Sequence, residues 1–135
     1  MITHPVKGLL AVTDYECPHP EEDLIVQTSR FRATQEVVVP LQQYRVGLKG
    51  SAERFSDPAG VLQGGKGKDS QVDLDILWKT DGVPYAWKMT TRYEIPCRAT
   101  GTVVVDGEEI VFENVVAQRD HSHGVRDWVS FCSKV

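Results

Sequence analysis

The run Val72-Asp73-Leu74-Asp75-Ile76-Leu77-Trp78-Lys79-Thr80-Asp81-Gly82 alternates with a period of two. Val72, Leu74, Ile76 and Trp78 fall on one face of an extended chain. Asp73, Asp75 and Lys79 fall mainly on the other, so the segment reads as a strand with one dry face. Asp81-Gly82 then reads as a hairpin turn, because Gly tolerates the positive φ that such turns demand. The returning strand is expected to place Tyr85, Trp87, Met89, Thr91, Tyr93 and Ile95 on one face, with Lys88, Arg92 and Glu94 on the other. Further along, Asp106-Gly107 repeats the turn signal between Thr100–Val105 and Glu109–Ala117. Leu9–Tyr15, Leu24–Arg32, Glu36–Val39 and Tyr44–Leu48 read as earlier strands, and Val125–Phe131 as a last one. Eight or nine strands at regular spacing, with no amphipathic helix, predict an all-β antiparallel barrel or sandwich. Closed barrels of roughly eight strands hold one small ligand.

Composition narrows the function. The chain has 135 residues, enough for one domain with a real core (1–135) and too few for two ordinary ones. With 41% hydrophobic and 25% charged residues it belongs among globular chains. A net charge of -4 argues against nucleic acid as a partner, since no basic stripe exists to displace phosphate counterions. No apolar run reaches the length of a membrane span, and the first residues form no signal peptide. Cys17, Cys97 and Cys132 are odd in number and lack CxxC spacing, which predicts reduced, structural thiols and a cytoplasmic location. Cys97 follows Pro96 in a strand context and reads as a small core residue rather than a nucleophile. His4 and His19 lie among prolines and read as solvated loop residues. Gly60 and Gly65-Lys66 have the spacing of a phosphate loop. Gly67, however, stands where the Mg²⁺-binding hydroxyl belongs and no helix pattern follows, so Gly64–Lys68 reads as a loop beside a cavity mouth.

The densest chemistry is in Arg119-Asp120-His121-Ser122-His123-Gly124-Val125-Arg126-Asp127-Trp128. If 120–123 is extended, Asp120 and Ser122 point one way while His121 and His123 share the other face. Imidazole exchanges protons near neutral pH, and a neighbouring carboxylate can orient it. His121, Asp120, Asp127 and His123 are therefore the candidate acid–base residues, with Arg119 and Arg126 holding the carboxylates. The same residues could equally form a polar knot that ties off a barrel end. A metal reading rests on His121, His123 and Asp127. It lacks the Gly that a cupin pattern wants upstream, where Val115 and Val116 stand, and only twelve residues follow His123. No metal or cofactor is expected. Trp87, Tyr85, Met89, Tyr93 and Trp128 are the candidate substrate contacts, Trp78 is a further cavity candidate, and each also suits an ordinary barrel core.

Taken together, Arg92-Tyr93-Glu94, Arg98 to Glu108 with its Gly101-Thr102-Val103-Val104-Val105-Asp106-Gly107 hairpin, and Gln118 to Trp128 resemble a family signature. The chain resembles the AttH-like and carotenoid 1,2-hydratase-like group of the calycin superfamily, whose signature runs Arg-Asp-His-Ser-Trp-Gly-x-Arg-Asp-Trp. The resemblance implies a lipocalin-like β-barrel with a hydrophobic cavity. It also implies cofactor-independent acid–base chemistry (isomerase, hydratase or cyclase) on an isoprenoid- or polyketide-like molecule, with His121 as acid–base or orienting residue and Asp120 as its partner. Two positions depart from the group. His123 stands where the signature has Trp, replacing an aromatic face by a titratable ring. The length is that of one half of the group's usual paired barrels, so a homo-oligomer supplying the other half is an expectation. A lipocalin-like protein that binds a hydrophobic ligand without catalysis is the alternative.

Overall fold

The computed structural model describes residues 1–4, 6–14, 16–18, 24–87 and 91–123. They form nine strands and one short helix: β1 (Ile2–His4), β2 (Gly8–Ala11), β3 (Ile25–Gln27), β4 (Phe31–Val39), β5 (Gln43–Phe55), α1 (Ala59–Leu62), β6 (Lys68–Thr80), β7 (Tyr85–Ala86), β8 (Arg92–Val105) and β9 (Glu108–Ser122). Every pairing is antiparallel. The long strands β4, β5, β6, β8 and β9 follow one another across a single sheet. β3 extends it beyond β4, and the β1–β2 hairpin continues the β4 edge of β5 through Leu9–Ala11. The expected all-β antiparallel architecture is what forms.

Period-two alternation sets the faces. Tyr44, Val46, Leu48 and Ala52 of β5 lie level with Trp78, Ile76, Leu74 and Ser70 of β6. Val72, Leu74, Ile76 and Trp78 in turn face Val105, Val103, Gly101 and Ala99 of β8. Leu10, Ala52, Val72, Val103 and Val105 are buried in one cluster, with Ile2, Val12, Leu48, Leu74, Ile76 and Phe112 packed against it. Burial of such side chains, about 25 cal/mol per Å² of apolar surface, is what holds the sheet bent. Its curl is visible in two long-range contacts. The Arg119 guanidinium of β9 lies 3.9 Å from the Tyr44 ring centroid of β5, although β6 and β8 intervene in the sheet. Three strand spacings on a flat sheet are about 14 Å, so the sheet must fold toward itself. At the other end Lys7 donates to the Val105 carbonyl at 2.7 Å and pairs with Glu108 at 2.8 Å. The result is a half-barrel of lipocalin-like form.

Turn chemistry follows the sequence at one hairpin and departs from it at another. Asp106 and Gly107 have φ of 53° and 82°, the two positive values that a type I′ turn requires, and they join β8 to β9 as expected. Asp81-Gly82 is no hairpin. β6 pairs with β8 up to Thr80–Cys97, and β7 then pairs with Glu94 and Tyr93 on the same edge of β8. β7 is thus an interrupted continuation of β6, and the chain reverses between Trp87 and Arg92, whose backbone atoms bond at 2.9 Å. Leu24–Arg32 is split by a turn in which the Thr28 hydroxyl accepts from the Arg30 and Phe31 amides at 3.1 and 3.2 Å. Glu36–Val39 is the end of one nine-residue strand.

His4 is buried rather than solvated. Its Nδ1 accepts from the Val6 and Lys7 amides at 3.2 and 3.0 Å, ordering the β1–β2 turn. The stretch from Gly64 to Lys68 follows α1 instead of opening a helix, and a Cβ at Gly67 would stand 2.8 Å from the Arg54 carbonyl. His19, Cys132 and the expected strand Val125–Phe131 lie outside the described residues.

Candidate functional site

β8 and β9 position the site. Tyr93 lies directly opposite His121, Ile95 opposite Arg119, and Cys97 opposite Ala117. That register exists because β9 carries one extra residue. Gly101 pairs with Phe112 but Ala99 pairs with Val115, and Asn114 at φ 53° occupies the bulge, its amide bound to the Thr100 hydroxyl at 3.0 Å. Asn tolerates this left-handed conformation better than most residues, and one inserted residue swaps the face of everything beyond it. Past the bulge, Val115, Ala117, Arg119 and His121 take the concave face; Gln118, Asp120 and Ser122 take the convex one.

A cleft of about 340 Å³ opens on the concave side at the β9 edge, lined by Gln35, Tyr44, Val46, Trp78, Arg119 and His121 and, from the edge strand itself, by Gln118 and Asp120. Arg119 lies across Tyr44, and its Cζ is 5.7 Å from the Tyr93 ring centroid. Its Nη1 donates to the Tyr93 hydroxyl at 3.3 Å. His121 stacks on Tyr93, with centroids 5.1 Å apart, and His123 follows at 5.5 Å. Both imidazoles are solvent-exposed. The Trp78 indole N–H is buried and meets no acceptor among the described residues. Cys97 is buried one pair below Arg119; burial pushes its thiol pKa up, and its Sγ donates to the Ile95 carbonyl at 3.2 Å. A thiol so placed is a core group rather than a nucleophile.

The convex face carries a separate cluster. Arg92 pairs with Glu94 at 2.7 Å and Asp120 at 2.8 Å, and Gln118 donates to Glu94 at 2.7 Å. Trp87 lies over Arg92 at 5.2 Å, with Tyr85 edge-on to Trp87 at 5.8 Å.

Several expected site residues therefore separate. His121 and His123 share a face, as extended backbone requires. Asp120 is not the partner of His121: strand alternation sends its carboxylate to Arg92 on the opposite side. Arg119, expected to hold a carboxylate, is held instead by Tyr44 and Tyr93. Tyr85 and Trp87 do not share the face of Tyr93, because Tyr85 pairs with Glu94 and Ala86 with Tyr93. Met89, Arg126, Asp127 and Trp128 lie outside the described residues. Among the described residues no three His, Cys, Asp or Glu side chains converge as metal ligands would. Tyr44, Val46 and Gln35 were not singled out in the sequence. Tyr44 and Val46 alternate there, but nothing local tells that their strand ends opposite β9.

The fold and site define an all-β protein with a curled antiparallel sheet and an aromatic, cation-bearing cleft on its concave wall. The chain belongs to the family described as Domain of unknown function (DUF7064), which it matches over residues 1–134. No curated protein and no solved structure matches it. Among the described residues, no helix is long and apolar enough to cross a membrane.

Proposed function

We propose that this protein binds a small, largely apolar molecule in the concave cleft, with a hydrogen-bond acceptor directed at Trp78 and Arg119. The observation that carries this reading is the buried Trp78 N–H. A buried donor left unmet costs about 1–3 kcal/mol, and a ligand whose acceptor displaces its cover and reaches the indole edge would recover that cost. Val46 and the aromatic faces of Tyr44 and Trp78 suit an apolar body, and the volume fits the small end of ligand pockets. Calorimetric titration with methyl naphthyl ketone, a neutral aromatic carrying one acceptor, tests it. Saturable one-to-one binding is expected, weakened roughly fivefold by Trp78→Phe, which keeps the ring and deletes the donor. No saturable heat up to about 1 mM for either the ketone or its carboxylate analogue, naphthoate, overturns the proposal.

The second reading is a cofactor-independent acid–base enzyme (isomerase, hydratase or cyclase) acting on an isoprenoid- or polyketide-like molecule. One observation favours it: His121 presents an accessible imidazole on the wall of the same cleft, stacked on Tyr93. The resemblance to the AttH-like group points the same way. In that case His121→Ala removes turnover of such a substrate by about 10²–10⁴-fold and leaves ketone binding within about threefold. Unchanged turnover in the variant removes His121 from the chemistry.

Assembly of two copies belongs to the same proposal. Val111 and Val116 are exposed on β9, whose outer edge has no strand partner among the described residues. Light scattering is expected to give twice the chain mass.

A further inference from the structure

We infer that the ligand of this cleft is an anion, an oxyanion group on an apolar body, with Arg119 as the residue that selects the charge. The inference rests on the binding role proposed for the cleft and goes on to name the ligand's class.

Strand alternation has sorted the charges. Of the carboxylates on β4, β5, β6, β8 and β9, Glu36, Glu53, Asp69, Asp73, Asp75, Glu94, Glu109 and Asp120 fall on the convex face by register, and Glu113, in the bulge, lies beside Leu77, Lys79 and Arg98 of that face. Glu108 alone takes the concave side. It sits at the far end of the sheet, tied to Lys7. Of the cleft-lining residues Gln35, Tyr44, Val46, Trp78, Gln118, Arg119, Asp120 and His121, only Asp120 carries a carboxylate, and that group is paired with Arg92.

The two arginines at this end of β8 and β9 make the contrast plain. Arg92 is neutralised by two carboxylates. Arg119 has no carboxylate within ion-pair distance among the described residues, and its guanidinium is held by tyrosine faces and one long hydrogen bond. Aromatic faces fix the plane of a guanidinium without consuming its in-plane donors, which leaves a fork suited to an oxyanion. Trp78, whose side chain lines the same cleft, carries a buried N–H that is also donor-only. Below it, Val46, Ile76 and Leu48 continue the concave face as apolar surface against the core. The gradient runs from a cationic mouth to an apolar floor, in a chain whose net charge is -4. A general attraction for anions is thus absent, and the preference is local.

Naphthoate and methyl naphthyl ketone are near-isosteric and differ chiefly in the charge. Calorimetry on the full chain is expected to show naphthoate binding roughly tenfold or more tighter than the ketone, with only the naphthoate affinity falling as salt rises. Arg119→Met keeps an apolar stem over Tyr44 and is expected to bring the two affinities within about threefold of each other, because naphthoate loses its charge partner and the ketone only a hydrogen bond. Should that variant fail to fold, the salt dependence on the unaltered protein still decides. Equal affinities for the two probes with equal salt response overturn the anion inference and leave the cleft intact as a binding site. Binding of neither probe overturns the cleft itself.

Discussion

Asp106 combines three roles in one side chain. It stands in the β8–β9 turn at positive φ, accepts from the Gln71 amide at 2.8 Å and accepts from the Ser70 hydroxyl at 2.7 Å. The Gln71 amide first, and the Ser70 hydroxyl second, hold its carboxyl below the usual carboxylate value. A depressed folded value means that the unfolded chain binds the proton more readily. Stability from this group is present above the ordinary carboxylate pKa of about 4 and is lost as pH falls through the lower folded value. Asp106→Asn preserves the turn, because Asn also accepts positive φ. Urea melts are expected to show the variant less stable at neutral pH, with the gap closing in strong acid. A gap independent of pH would mean that the carboxylate charge contributes nothing. At this same scale, Asp120 and His121 are adjacent in sequence and opposed in space, so their pairing was the expectation the backbone alternation corrected.

The β9 bulge decides which chemistry faces the cleft. The sequence marked Glu109–Ala117 as a strand, and up to Phe112 its simple alternation holds, with Ile110 and Phe112 opposite Val103 and Gly101. Beyond that the odd–even pattern is reset by Asn114, and no hydrophobic period marks a single inserted residue. Gly101, which pairs across the bulge, admits no side chain: a Cβ there would lie 2.1 Å from the Asp75 carbonyl. Asn114→Val is expected to cost about 1–2 kcal/mol, while Asn114→Gly is near neutral, both read from denaturant midpoints. Equal costs for Val and Gly would show that the left-handed conformation is not what matters. Deletion of Asn114 is the sharper test. It returns Asp120 to the concave face in place of Arg119 and His121, and naphthoate binding is expected to fall at least tenfold. Tyr85 and Trp87 take their side from the pairing of Tyr85 with Glu94 and Ala86 with Tyr93, which Asp81-Gly82 does not announce.

Across the whole molecule the bend of the sheet depends on a small core at the end away from the cleft. Leu10 is 1% exposed and joins β2 to Ala52, Val72, Val103 and Val105 of three other strands. Leu10→Ala is expected to cost about 2–5 kcal/mol in chemical denaturation. A loss under about 1 kcal/mol would mean that this cluster does not hold the curl. The sequence by itself determined the all-β antiparallel class, the dry face of β6 and the turn at Asp106-Gly107. Each is written in period-two alternation or in the φ demands of two residues, both of which are local. Only the tertiary structure decided that Arg119 and His121 face inward, that Asp120 faces out to Arg92, and that Tyr44 closes over Arg119. Those outcomes depend on one bulge and the curl of the sheet, and curl is a sum over packed residues far apart in the chain.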